Sequence, residues 1–183
     1  MTRPAPAAVP FPGEWLETDG LGGYASGPVH GPRTRRYHGL LLAAAPAGGR
    51  RYVLVNGIEA VASTRAGTWF LTSQRYRGGR TSWGLAPACE PGVVLRAFDA
   101  EPWPRWQYQL GDGTVIEVAF LSAHRKPHRL LSFRVLEAVE EVHLRVRPFF
   151  SGRDHHALHH ENAGFSFVGR TAGAARDRQQ FQP

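Results

Sequence analysis

The sequence has one cysteine, Cys89, one methionine and one lysine, Lys126, among its 183 residues. A lone cysteine excludes an internal disulfide framework and a four-cysteine zinc site. No apolar run approaches the ~18 residues that a membrane-spanning helix needs. The start, MTRPAPAAVPFPGEW, lacks the apolar stretch of a secretory signal. A cytoplasmic protein with no membrane partner is therefore expected. Helical patterning is scarce as well: no long window repeats apolar residues at i, i+3, i+4 and i+7, and 21 glycines and 14 prolines interrupt the chain.

Because lysine is nearly missing, the net charge of +7 is carried almost wholly by arginine. Basicity of this kind invites a nucleic-acid reading, but the arginines are spread along the chain and form no like-charged block. An arginine-rich RNA-binding protein stays as a distant alternative, and nucleic acid is not the expected partner.

Strand patterns are plentiful. RWQYQL puts Trp106, Tyr108 and Leu110 on one face, Gly111-Asp112-Gly113 makes a turn, and TVIEVAFL alternates Ile116, Val118 and Phe120 against Glu117. That is a hairpin with a short glycine-containing loop. RLLSFRVL alternates Leu131, Phe133 and Val135, and EVHLRVRPFF alternates Val142, Leu144 and Val146. LLLAA, RYVLVN, TWFLT and VVLRAF are further strand candidates. Period-two patterning means sheets with one face in a core and one face wet. Many short strands joined by Gly/Pro turns predict an all-β, antiparallel β-sandwich. The tail GRTAGAARDRQQFQP, from Gly169, has no pattern strong enough to close a domain.

Three segments could hold chemistry. Gly20-Leu21-Gly22-Gly23-Tyr24-Ala25 satisfies the G-x-G-x-x-A dinucleotide fingerprint. The fingerprint works only where a helix follows, and Ser26-Gly27-Pro28 is a poor continuation for one. The glycines are expected to supply positive φ in tight turns instead. Arg33 to His38 gathers arginine forks, a tyrosine ring and a histidine, groups that suit sugar hydroxyls or a solvated strand edge. Trp15, Tyr24, Trp83 and Trp103 are candidate platforms for sugar rings, although core packing is the commoner fate of a tryptophan. SGRDHHALHHEN, residues 151 to 162, spaces His155 with His159 and His156 with His160 at i, i+4, so a helix there would offer metal-ligating pairs. It lacks the order of a zinc peptidase. Asp154 and Glu161 are candidate ligands or acid/base groups, against the plainer reading of a polar loop.

Five segments, EWLETDGLGGYASG, TRRYHGLLLAA, LTSQRYRGG, EPWPRWQYQL and LRVRPFFSGRDHHALHHEN, resemble in order the N-terminal domain of the bacterial and archaeal type of glycogen debranching enzyme (amylo-α-1,6-glucosidase). The resemblance runs from about Glu14 to Phe167, with GLGGYASG…TRRYHGLL its strongest part. It implies a super-sandwich-like domain that packs against a C-terminal (α/α)6 barrel holding the catalytic carboxylates, one acid protonating the glycosidic oxygen and one base activating water. By that implication residues 1–13 are a flexible N-terminus, 14–168 the sandwich, and 169–183 an irregular tail or the start of a remainder. The sandwich is expected to be truncated at its C-terminus and inactive alone. The partners implied are an α-glucan (glycogen or a branched oligosaccharide) and the barrel. No cofactor, no metal and no catalytic residue is expected here. Arg35, Arg36, Tyr37, His38, Arg153, Asp154 and His156 are implied to line the substrate site or the domain interface. His155 stands where an aromatic residue is usual, and Pro32 where a small or polar one is. The alternative kept beside this is a free-standing glycan-binding sandwich.

Overall fold

A computed structural model describes residues 13–45, 49–72, 92–126, 128–160, 170–171 and 179–180. Trp83, Cys89, Glu161 and most of the first thirteen residues lie outside the described residues. Ten strands form two antiparallel sheets, and no helix occurs among the described residues.

The first sheet contains β1 (Glu14–Thr18), β2 (Tyr24–Pro28), β3 (Gly39–Ala44), β4 (Arg51–Ser63), β5 (Thr68–Phe70) and β10 (His143–Asp154). Its order is β1-β2-β3-β4-β10, with β5 also paired to β4. The second sheet contains β6 (Val93–Asp99), β7 (Arg105–Leu110), β8 (Val115–Ser122) and β9 (Arg129–Glu137), in sequence order. In the tail expected to be irregular, β11 (Arg170–Thr171) pairs antiparallel with β12 (Gln179–Gln180).

β7 and β8 follow the alternation closely, whereas in β9 Leu131 and Phe133 are half-buried and Val135 is exposed. In β7 and β8 the residues Trp106, Leu110, Ile116, Val118 and Phe120 are buried, and Glu117 turns outward to receive Arg134 at 2.8 Å. A register shift between Val115 and Ile116 lets both side chains bury in succession.

The core lies between the sheets in two joined clusters. One gathers Ala60, Ala62, Trp69 and Leu71 from the first sheet with Val93, Leu110, Ile116 and Val118 from the second. The other gathers Trp15, Ala25 and Val29 with Leu95, Trp106 and Phe120. Tyr108 and Leu131 pack against both. Trp15 and Trp106 meet edge to face at 5.4 Å between centroids, and the Trp106 indole N–H donates to the Val29 carbonyl at 2.9 Å. Such a buried donor is satisfied only because the chain turns back past the strand end. Trp15 is thus a core residue and not a sugar platform.

Two strands go beyond the expected reading. Ser26-Gly27-Pro28, a poor continuation for a helix, completes strand β2. Gly27 belongs there because the Trp15 indole covers it: a Cβ at Gly27 would lie 3.3 Å from Trp15 Nε1. β10 differs in burial. Leu144 and Val146 face Ala62 and Ala60 across the β4 pairing, on the inner side, yet they stay 40% and 39% exposed. β9 and β10 each have one unpaired edge among the described strands.

Candidate functional site

The glycine segment folds around a carboxylate of its own. Asp19 Oδ1 accepts the backbone N–H groups of Leu21 and Gly23 at 2.8 and 2.9 Å, and Oδ2 accepts Arg129 Nη2 at 3.1 Å. Gly20 takes φ +73°, the left-handed region that glycine enters freely. A Cβ at Gly23 would collide with the Asp19 carboxylate and lie 2.7 Å from the Leu42 carbonyl oxygen. The turn that resembles a phosphate cradle is therefore already filled, by Asp19. Arg51 Nε donates to the Gly22 carbonyl at 2.6 Å and ties the turn to β4.

The arginine segment closes a short turn between β2 and β3, and His38 organises it. Its Nδ1 accepts the backbone N–H groups of Thr34 and Arg35 at 3.2 and 3.3 Å. Nδ1 is therefore unprotonated, and Nε2–H donates to Glu14 Oε1 at 3.3 Å. Burial pulls the His38 pKa below its ordinary value and outweighs the Glu14 carboxylate, so the ring stays neutral. His38 is 3% exposed and positions the loop rather than offering itself to a ligand. Glu14 also takes Arg35 Nε at 2.9 Å.

The histidine segment, at the end of β10 and the turn after it, meets the arginine turn. Arg36 Nη1 donates to the His156 carbonyl at 2.9 Å, while Arg153 Nη2 donates back to the Arg36 carbonyl. Arg153 Nη1 also reaches the Ala157 carbonyl at 2.8 Å. Each guanidinium thus grips the other's segment through a carbonyl. Tyr37 Oη lies 3.2 Å from His156 Nδ1, and Tyr24 Oη donates to the Tyr37 carbonyl at 3.3 Å. The Tyr37 ring, 40% exposed, packs against His155 and His156 at 5.6 and 5.8 Å between centroids. Asp154 Oδ1 accepts the His156 N–H at 2.9 Å.

All seven residues singled out from the sequence therefore fall in one cluster, which the register of β3, β4 and β10 brings together. The spacing that would have made histidine pairs on a helix has no helix to act on: residues 155–160 are turn and irregular chain. His155 packs on His156 at 3.9 Å, and no group of three His, Cys, Asp or Glu among the described residues could hold a metal ion. Burial, reinforced by its charged neighbours, lowers the His155 and His159 pKa values.

Glu14, Asn56 and Ser151 belong to the cluster and were not among the residues implied to line the site, and His159, considered only as a metal-ligating partner of His155, belongs to it as well. Asn56 Nδ2 and Ser151 Oγ lie 3.2 and 3.3 Å from His159 Nδ1. The signal for Asn56 was present, a lone amide in the apolar strand VLVNGIEAV, where burial demands a partner. Beneath the turn is a cavity of about 180 Å³ whose lining includes Arg33, Arg35, Arg36, Arg153, Asn56 and His159. Trp103 sits elsewhere, on the β6–β7 turn.

The family model described as glycogen debranching enzyme N terminal matches residues 13–183. No curated protein and no solved structure matches the chain.

Proposed function

This chain belongs to the glycogen debranching enzyme N-terminal family, and from that premise we propose that its surface around Tyr37 borders the α-glucan site and meets the (α/α)6 catalytic barrel of such an enzyme. The observation that carries the reading is the reciprocal grip of Arg36 and Arg153, which joins segments 117 residues apart and holds the Tyr37 ring half-exposed. An exposed ring suits the C–H face of a glucose unit. Around it stand Arg36 as donor, Asp154 as acceptor, and His156 with a ring nitrogen of either kind, the mixture that vicinal hydroxyls require. Arg35 and His38 act from behind, through Glu14. The sandwich, residues 14–168, contributes binding and support and no catalytic carboxylate, and the reading carries a cytoplasmic location with it.

The test is calorimetric titration of the chain with a branched malto-oligosaccharide, alone and with separately expressed barrel. Tyr37→Ala is expected to weaken binding about tenfold, the loss of one stacked ring at ~1–1.5 kcal/mol, with unchanged far-UV circular dichroism. Wild-type affinity in Tyr37→Ala, with barrel activity indifferent to the sandwich, removes the reading.

A further inference from the structure

The cavity under the arginine turn has a chemistry different from the rim above it. Its lining includes four arginines, Arg33, Arg35, Arg36 and Arg153, and no carboxylate, with Glu14 behind it paired to Arg35 at 2.9 Å. Arginine donates and never accepts. Asn56 spends its amide nitrogen on His159 Nδ1, and Ser151 crowds the same atom. With Nδ1 engaged as an acceptor, the group His159 offers is Nε2–H, another donor. Arg153 Nε is buried and has no hydrogen-bond partner. Arg36 and Arg153 give their bonds to carbonyl oxygens, which leaves both charges uncompensated by any ion pair among the described residues. Neutral sugar hydroxyls need acceptors as well as donors. A wall in which Asn56 Oδ1 is one of few acceptors among four arginines suits them poorly.

We propose that this cavity is a binding site for a phosphate group, either inorganic phosphate or the monoester of a phosphorylated sugar. A phosphate group is acceptor-only toward such a wall and pairs with arginine forks in charge-assisted bonds. At about 180 Å³ the cavity far exceeds the ~10–15 Å³ that a single water needs on the same measure, and it has room for a phosphate group. Phosphate held here sits beside the Tyr37 rim without requiring glucan there.

The experiment is titration calorimetry of the whole chain, at ionic strength fixed with sodium chloride, against inorganic phosphate, glucose 1-phosphate, glucose 6-phosphate, glucose and maltohexaose. Phosphate-bearing ligands are expected to bind and glucose is not. Arg36→Gln should weaken phosphate binding at least tenfold, with Arg35→Gln, a side chain 66% exposed, as the variant least able to disturb the fold. Arg134→Gln on β9 is the control and should change nothing. Tighter binding of the sugar esters names a phosphorylated sugar as the ligand, and equal binding names the free ion. No heat above the chloride background, or equal losses in Arg134→Gln, overturns the inference. So does tighter binding of single-stranded RNA than of any phosphate ligand. Maltohexaose binding that persists where phosphate fails removes the cavity site and leaves the rim reading standing; phosphate binding without maltohexaose does the reverse.

Discussion

Arg129 Nη2 lies 3.1 Å from the Asp19 carboxylate, and the two side chains are 7% and 3% exposed. Burial works to raise the Asp19 pKa, but the Leu21 N–H, Arg129 and the Gly23 N–H outweigh it and hold the carboxyl below its ordinary value. Asp19→Asn leaves Arg129 charged, buried and unpaired, and should cost ~3–5 kcal/mol, read as a lower urea midpoint. The double variant Asp19→Asn/Arg129→Met should cost less than the two single losses summed. A cost under ~1 kcal/mol for Asp19→Asn would remove the pair from the stability argument.

His38, His155 and His159 all have pKa values lowered chiefly by burial, from an ordinary 6.5. Lowered values mean that the unfolded chain binds protons first. Their contribution is complete above about pH 6.5 and fades as pH falls below it toward the folded values. The melting temperature should therefore drop between pH 7 and pH 5. His38→Gln should flatten that slope, and an unaltered slope in the variant denies His38 the role.

Gly23 has no room for a methyl group, since a Cβ there would strike the Asp19 carboxylate and the Leu42 carbonyl. Gly23→Ala should cost ~1–3 kcal/mol by overpacking. Gly113, with φ +91° and open space around it, separates the two effects. Gly113→Ala meets backbone strain alone and should cost about 1 kcal/mol. Equal losses at both positions would contradict the steric account.

Ile116 is 1% exposed, whereas Leu144 points inward but remains 40% exposed. Ile116→Ala should cost ~2–5 kcal/mol. Leu144→Thr should stay within about 1 kcal/mol, since little apolar area is withdrawn from water there. Comparable losses in chemical denaturation would mean that Leu144 is covered in solution.

The period-two pattern made the β7–β8 hairpin readable because those strands bury one face, whereas in β9 Leu131 and Phe133 are only half-buried and Val135 is exposed. Trp106, Leu110, Ile116, Val118 and Phe120 stand where alternation puts them. β2 was not legible, since Gly27 and Pro28 spell a turn and only the overlying Trp15 explains the glycine. β10 was readable as a strand but not in its burial, which depends on what stands opposite. Residue chemistry marked the arginine and histidine segments of the site cluster, and resemblance supplied the seven residues. The division of labour within it, with His38 bracing the loop and Asn56 anchoring His159, depends on contacts between distant segments that no local spacing encodes.

β4 runs for 13 residues and changes duty along its length. Its first half, through Asn56, pairs with β3 and carries the arginine and histidine turns. Its second half, from Ile58, supplies Ala60 and Ala62 to the core and pairs with β5. Gly57 stands between them, facing Phe149 next to a shift in register. The strand is thus a single beam with the arginine and histidine turns fastened to one end and the keel to the other. A substitution that repacks Ala60 or Ala62 will tilt the far end, so its effect on affinity will not be separable from its effect on folding.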